Sequence, residues 1–171
     1  MNFFDEGEPL TAEHIDALET TVGKPFPPEY RAFLLAHNGG RPEPAIVDID
    51  DCPAGASVVQ MFLGVTGPIE SETLEWSWKV FQGRIPERLL PVADDPFGNL
   101  FCLSLDGQDR GCVFFLDRYE DSPAPYLVAK SWNEFLGQLR AFTPEERAKI
   151  EATENAANET SHNDGPAQNE S

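Results

Sequence analysis

The sequence predicts an α+β domain: a mixed, largely antiparallel sheet with an N-terminal helix pair, a middle helix and a C-terminal helix packed around it. Three observations predict it. Apolar residues recur at helical spacing near both ends of the chain, with Ile15, Leu18 and Val22 the first such set. Short runs rich in branched and aromatic residues, bounded by Gly, Pro and Asp, read as strands. The order helix, helix, strands, helix, strands, helix lacks the regular alternation of a doubly wound parallel sheet. Fifteen prolines and thirteen glycines in 171 residues add frequent turns and short strands.

Residues 1–10 read as a short arm. Thr11 is placed to cap a first helix, with Glu13 in the first turn where the helix dipole favours acid, and Gly23 ends it. Lys24-Pro25-Phe26-Pro27-Pro28 then opens a second helix, since proline suits a first turn that needs no N–H. Tyr30, Phe33, Leu34 and His37 share one face of it, and Asn38-Gly39-Gly40 stops it with a left-handed backbone. Residues 45–49 and 58–63 are β-like, separated by Asp50-Asp51-Cys52-Pro53-Ala54-Gly55. A middle helix is expected over 68–82, carrying Leu74, Trp78 and Phe81. Leu89-Leu90-Pro91-Val92-Ala93 reads as an edge strand, because proline cannot donate to a ladder. Asp94-Asp95-Pro96-Phe97-Gly98 is a turn. The runs 99–105 and 111–117 form a hairpin, and 126–129 is a further strand. Ser131 and Glu134 form a capping box ahead of Trp132, Phe135, Leu136 and Leu139; Thr143 and Glu146 form another.

The domain organisation follows: an arm over 1–10, a domain over 11–152, and a tail over 153–171. The tail has no aromatic or branched aliphatic residue, so disorder is expected there. A chain of this length buries enough surface to need neither metals nor disulfides. The odd set Cys52, Cys102 and Cys112 argues against a secreted disulfide framework. The opening residues lack a basic segment followed by an apolar run, so no signal peptide is expected. No stretch approaches the roughly 20 apolar residues of a membrane span, and the expected location is the cytoplasm.

The formal net charge is −18, from 30 acidic and 12 basic side chains, and most of the acid precedes the tail. Such a field repels nucleic acid and anionic lipid and speeds encounter with a basic partner; the alternative is that the acid serves solubility alone. Motifs of catalysis are missing from the sequence: no HExxH, CxxC, GxSxG or glycine-rich phosphate loop. His37 at a helix end suits the dipole there, His14 lies near a helix start and His162 in the tail. Asp48-x-Asp50-Asp51 hints at calcium, but Cys52 breaks the ligand spacing and no Glu closes the loop, so a solvated acidic turn or a basic-partner patch fits better. Cys102 and Cys112 flank the hairpin and could face each other, as small buried thiols or as a redox pair. Trp76 and Trp78 point to different faces of the middle helix; either both are buried, or one is core and the other, beside Glu72 and Glu75, is a binding anchor if exposed.

One long pattern unites these pieces. It runs Ile15, Leu18-Glu19, Gly23, Pro25-Phe26-Pro27-Pro28-Glu29-Tyr30-Arg31, Phe33-Leu34-Leu35 and Asn38-Gly39-Gly40. It continues with Leu90-Pro91-Val92-Ala93-Asp94-Asp95, Gly98-Asn99, Cys102-Leu103-Ser104-Leu105, Gly111, Val113-Phe114 and Ser131-Trp132 with Phe135-Leu136. From Thr11 to Phe142 the chain resembles the SUKH superfamily, which includes fungal cell-wall-synthesis regulators and many bacterial immunity proteins. Phe26 departs from the leucine usual before the proline. The resemblance implies an α+β fold that binds protein and carries no catalytic set. It also implies a protein partner that, for the bacterial members, is a toxin domain, often a nuclease. Asn38, Gly39, Gly40, Gly98 and Asn99 read as turn-formers within it.

The expected function is therefore an immunity protein that neutralises a cognate basic toxin domain by direct complexation. It is expected to be no enzyme and to have no cofactor, no metal site, no nucleic-acid partner and no membrane partner. A regulatory scaffold of the cell-wall-regulator type without a toxin partner is the alternative. An enzyme or small-ligand protein would need a deep pocket of convergent polar groups. The residues expected to meet the partner are Asp48, Asp50 and Asp51 in one acidic loop, Asp94 and Asp95 in another, and Trp76.

Overall fold

The computed structural model describes residues 1–118, 124–149 and 152. The expected tail over 153–171, with His162, lies outside the described residues. The chain divides into two compact units, Met1–Arg140 and Ala141–Ser171. In the second, residues 144–149 are helical. Thr143 opens that helix as a capping box: Glu146 N–H donates to Thr143 Oγ1 at 3.2 Å and Thr143 N–H to Glu146 Oε2 at 2.7 Å.

The first unit is α+β. Its elements are β1 (Asn2–Phe4), α1 (Ala12–Val22), α2 (Pro28–Ala36), β2 (Arg41–Glu43), β3 (Ile46–Asp48), β4 (Ala56–Val58) and β5 (Met61–Phe62). They continue with a 3₁₀ turn (Glu70–Glu72), α3 (Leu74–Phe81), β6 (Leu89–Asp94), β7 (Leu100–Ser104), β8 (Val113–Leu116), β9 (Tyr126–Ala129) and α4 (Trp132–Gln138). The main sheet has the order β5-β6-β7-β8-β9, every neighbouring pair antiparallel, and two antiparallel ribbons, β1-β2 and β3-β4, accompany it.

The pleat of the central strands sorts their side chains into two cores. Leu90, Val92, Phe101, Leu103, Val113 and Phe115 join the main core with α1, α2 and α4. Leu89, Leu100, Cys102, Phe114 and Leu116 face the other way, against Phe81, Val80 and Ile85. Burial on both faces explains why these strands read as continuous apolar runs instead of alternating ones. At the centre of the main core Trp132 of α4 meets Tyr30 and Phe33 of α2, with ring centroids 4.6 and 5.0 Å apart, and Phe62 at 5.7 Å. The two ends of the sequence pattern thus meet in space. Phe26 is only 2% exposed and lies 5.6 Å from Tyr30, so the aromatic ring that departs from leucine is a core residue. Glu19 ties the helix pair together: its carboxylate accepts from Phe26 N–H at 2.7 Å and from Arg31 at 2.5 Å.

Several expectations are changed by the structure. The opening ten residues hold a strand, because Phe3 packs against His37 (4.1 Å, tilted) and edge-on against Phe33 (5.6 Å) and carries β1 onto β2. A three-residue strand is too short to show a two-residue period. The middle helix begins at Leu74, where Thr73 Oγ1 accepts from Trp76 N–H, and residues 70–72 form only a 3₁₀ turn. β6 sits inside the sheet, not at its edge. Its partner β5 covers only Ala93 and Asp94, and the ladder to β7 is bulged between Pro91 and Ala93, so Pro91 sits where no donor is required. Cys102 and Cys112 do not face each other. The register pairs Cys102 with Phe114, while Cys112 follows the loop and its carbonyl accepts from Ser104 N–H at 2.9 Å. All three thiols are free.

Candidate protein-binding surface

Two buried asparagines organise the loops around the acidic residues. Asn38, at the end of α2, is 5% exposed. Its Nδ2 donates to Glu8 O at 2.8 Å and to Thr66 O and Oγ1 at 3.0 Å, and its Oδ1 accepts from Val65 N–H at 2.8 Å. Its own carbonyl accepts from Gly7 N–H at 2.9 Å. One side chain therefore fastens the N-terminal segment, the end of α2 and the loop after β5. Gly39 follows at φ +74°, and a Cβ there would stand 2.8 Å from Gly64 N and Phe62 O, so the close approach of these backbones requires glycine. In the sequence Asn38 reads as a turn-former alone; a lone asparagine before glycines carries no sign of the three segments it joins.

The second hub is Asp95 with Asn99. Asp95, 3% exposed, accepts at Oδ1 from Phe97 N–H and Asn99 N–H, both at 2.8 Å. Its Oδ2 accepts from Asn99 Nδ2 and Ser57 Oγ, both at 2.9 Å. Asn99 Oδ1 accepts in turn from Arg118 N–H at 3.0 Å. Because Ser57 belongs to β4, this hub draws the β3-β4 ribbon, and with it the acidic loop at 48–51, beside the 94–99 turn.

The six expected partner-facing residues thus have different standings. Asp50 and Asp51 are exposed on the β3-β4 turn. Asp48 is exposed in β3 and takes a two-point bridge from Arg140, at 2.7 and 3.0 Å. Asp95 is enclosed and its oxygens are committed to the turn, so it shapes the loop instead of presenting charge. Trp76 is half-buried on α3, while Trp78 packs against the main core. Phe97, which sequence reasoning passed over, is 73% exposed at the tip of the 94–99 turn.

Asp94 is the strained member. Its Oδ1 is buried without a hydrogen-bond partner. Burial, then the adjacent Asp95 carboxylate, then Glu72, push its carboxyl up to about 6. The folded state therefore binds this proton more tightly than the unfolded chain. Stability from that proton is fully present below the ordinary carboxylate range and is lost as pH rises through about 6. Asp94→Asn is expected to stabilise the domain at pH 8 by about 1 kcal/mol, after discounting for solvent around the half-buried side chain, and to have no such effect at pH 4. Urea melts of both proteins at the two pH values measure it.

A profile of the SMI1/KNR4 family (SUKH-1) matches residues 9–138. The chain belongs to this family. A curated relative, the SPbeta prophage-derived uncharacterized protein YokK of Bacillus subtilis (strain 168), is 22% identical over 147 residues, which cover 75% of this chain and 74% of the relative. The SUKH-1 match spans the helix pair, Asn38, Asp95 and Asn99, the whole main sheet and α4.

Two clefts open on this SUKH-1 domain. One, of about 310 Å³, is mainly apolar and lies between the end of α3 and the start of β6, with Trp78, Phe81 and Pro91 in its walls and Lys24 at its rim. The Lys24 ammonium is 2.6 Å from Asp106. The other, of about 250 Å³, lies against the Asn38 hub and is bounded by Asp5, Glu6, Gly39, Gly40, Met61 and Glu72. Among the described residues no group of three His, Cys, Asp or Glu side chains is arranged to hold a metal ion, and no helix is long and apolar enough to cross a membrane.

Proposed function

We propose that this SUKH-1 domain is a non-catalytic binding protein of the immunity type, which neutralises a cognate toxin domain with a basic active-site cleft by covering or occupying that cleft. The observation that carries the reading is the acidic surplus left on a rigid scaffold. Lys24, Arg31, Arg41, Lys79, Arg88 and Arg140 already have acidic partners within the domain, and the whole chain, most of whose acid precedes the tail, still carries a net charge of −18. A cleft that handles nucleic acid is cationic, and an acidic domain both finds it quickly and competes for it. Asp50, Asp51 and Asp94, with Trp76 as a half-buried aromatic, form the contact region in this reading. Asp48 contributes through its pair with Arg140, and Asp95 by holding the turn.

Reversing charge at the β3-β4 turn tests this directly. Asp50→Lys combined with Asp51→Asn is the suitable variant, because Asp51 holds φ +61°, a conformation asparagine also tolerates. Association with the toxin domain is expected to slow about tenfold at low salt and to converge on the wild-type rate at high salt, with the unfolding midpoint unchanged. Stopped-flow association rates at two ionic strengths decide it. Equal rates for variant and wild type at low salt would remove this turn from the contact region.

A further inference from the structure

We infer that the cleft beside the Asn38 hub is the receptor for a cationic side chain, arginine or lysine, projected by the protein partner. This deepens the protein-binding reading and rests on it. Every titratable residue in the cleft wall is an acid: Asp5, Glu6 and Glu72. Two of them have partners at the back, Asp5 with Arg41 Nε at 2.7 Å and Glu6 with His37 Nδ1 at 2.8 Å. Glu72 makes no ion pair or side-chain hydrogen bond with another described residue, so its charge is left for an incoming cation. Asp94 lies next to this field, although burial and Asp95 weigh more on it than Glu72 does. It pairs with Met61, a wall residue, in the β5-β6 ladder, and Glu72 is one of the groups that disfavour its charged form.

The shape suits the same ligand. A space of about 250 Å³ is enough for a long side chain entering end-on. Gly39 and Gly40 in its wall bring no side chain into the space. Ile69, 50% exposed, and Met61 offer apolar surface for the methylene stem of lysine or arginine. The cleft is also preformed: Asn38 pins the three segments that surround it, so little ordering cost falls on binding.

The test uses capped arginine, Nα-acetyl-arginine N-methylamide, titrated into the ¹⁵N-labelled full chain, with the citrulline analogue as the uncharged isostere. The expected result is saturable movement of the Gly39, Gly40, Gly64 and Gly67 amides, with a dissociation constant in the millimolar range and at least tenfold weaker binding of the citrulline probe. Glu72→Gln, which keeps size and leaves the backbone bond from Gly64 in place, is expected to abolish most of that movement. No movement, movement centred on the Asp50 turn, or an equal response to citrulline would overturn the inference. A parallel measurement with the toxin domain separates this from the broader reading. If that complex forms and Glu72→Gln leaves its dissociation constant unchanged, the cleft is wrong and the binding function stands. If the arginine probe seats as expected but no toxin domain binds, the function is wrong.

Discussion

Replacing Asn38 with alanine is expected to cost about 3–4 kcal/mol, a large part of the 5–15 kcal/mol that holds a domain of this size together. The side chain is buried, and its removal strands polar groups on both sides. Glu8 O and Thr66 O lose a donor, and Val65 N–H loses its acceptor. None of these groups belongs to a ladder or helix that could take up the loss. Asn38→Asp offers no rescue: it keeps the acceptor, loses the donors and buries a charge. Equilibrium urea unfolding measures the cost. A loss below about 1 kcal/mol would mean that the three segments are held by something other than this amide. Because the same residue frames the acidic cleft, the variant is also expected to lose binding of the arginine probe at denaturant-free conditions where it remains folded.

The adjacent carboxylates Asp94 and Asp95 are expected to respond in opposite directions. Asp95→Ala removes an acceptor of four hydrogen bonds at 2.8–2.9 Å and frees Ser57, Phe97 and Asn99. The expected cost is about 3–5 kcal/mol, because a buried charged acceptor with a complete set of donors leaves each of them unpaired. Asp95→Asn retains one acceptor oxygen and is expected to cost less. Asp94→Asn, one residue earlier, stabilises at neutral and higher pH. Neighbours of the same residue type differ so sharply because one has donors around both oxygens and the other has a buried oxygen with none. Thermal melts of the three variants at pH 8 measure the contrast; a destabilised Asp94→Asn would show that its carboxylate is held by favourable contacts after all.

Much of the fold could be read from the chain because its signals are local. The Thr11 and Gly23 boundaries, the proline-led second helix, the 126–129 strand and the Ser131 cap each depend on residues a few positions apart. The SUKH pattern could be read as well, and its members Tyr30, Phe33 and Phe135 meet around Trp132, while Phe114 faces the second core. What could not be read depends on partners far along the chain. Asp95 and Asp94 are indistinguishable as letters; only the approach of Ser57 from β4 makes the first a hub. Asp48 reads as free acid until Arg140, distant in sequence, reaches it. The expected facing of Cys102 and Cys112 failed because the hairpin register is offset by two residues from the one that loop symmetry suggests. The second cleft was invisible, since its walls come from three segments joined by one buried amide. A carboxylate kept beside other carboxylates at a cost to stability, as at Asp94, is the kind of local inconsistency that marks binding surfaces.

The most direct test of the central claim is co-expression of this chain with the product of the neighbouring gene, followed by purification of the complex at low and at high salt and an assay of that product's toxicity. The account predicts a stable complex that forms more slowly at high salt and in which toxicity is suppressed. Absence of a complex at every salt concentration, with toxicity undiminished, would contradict it and favour a regulatory scaffold built on the same fold.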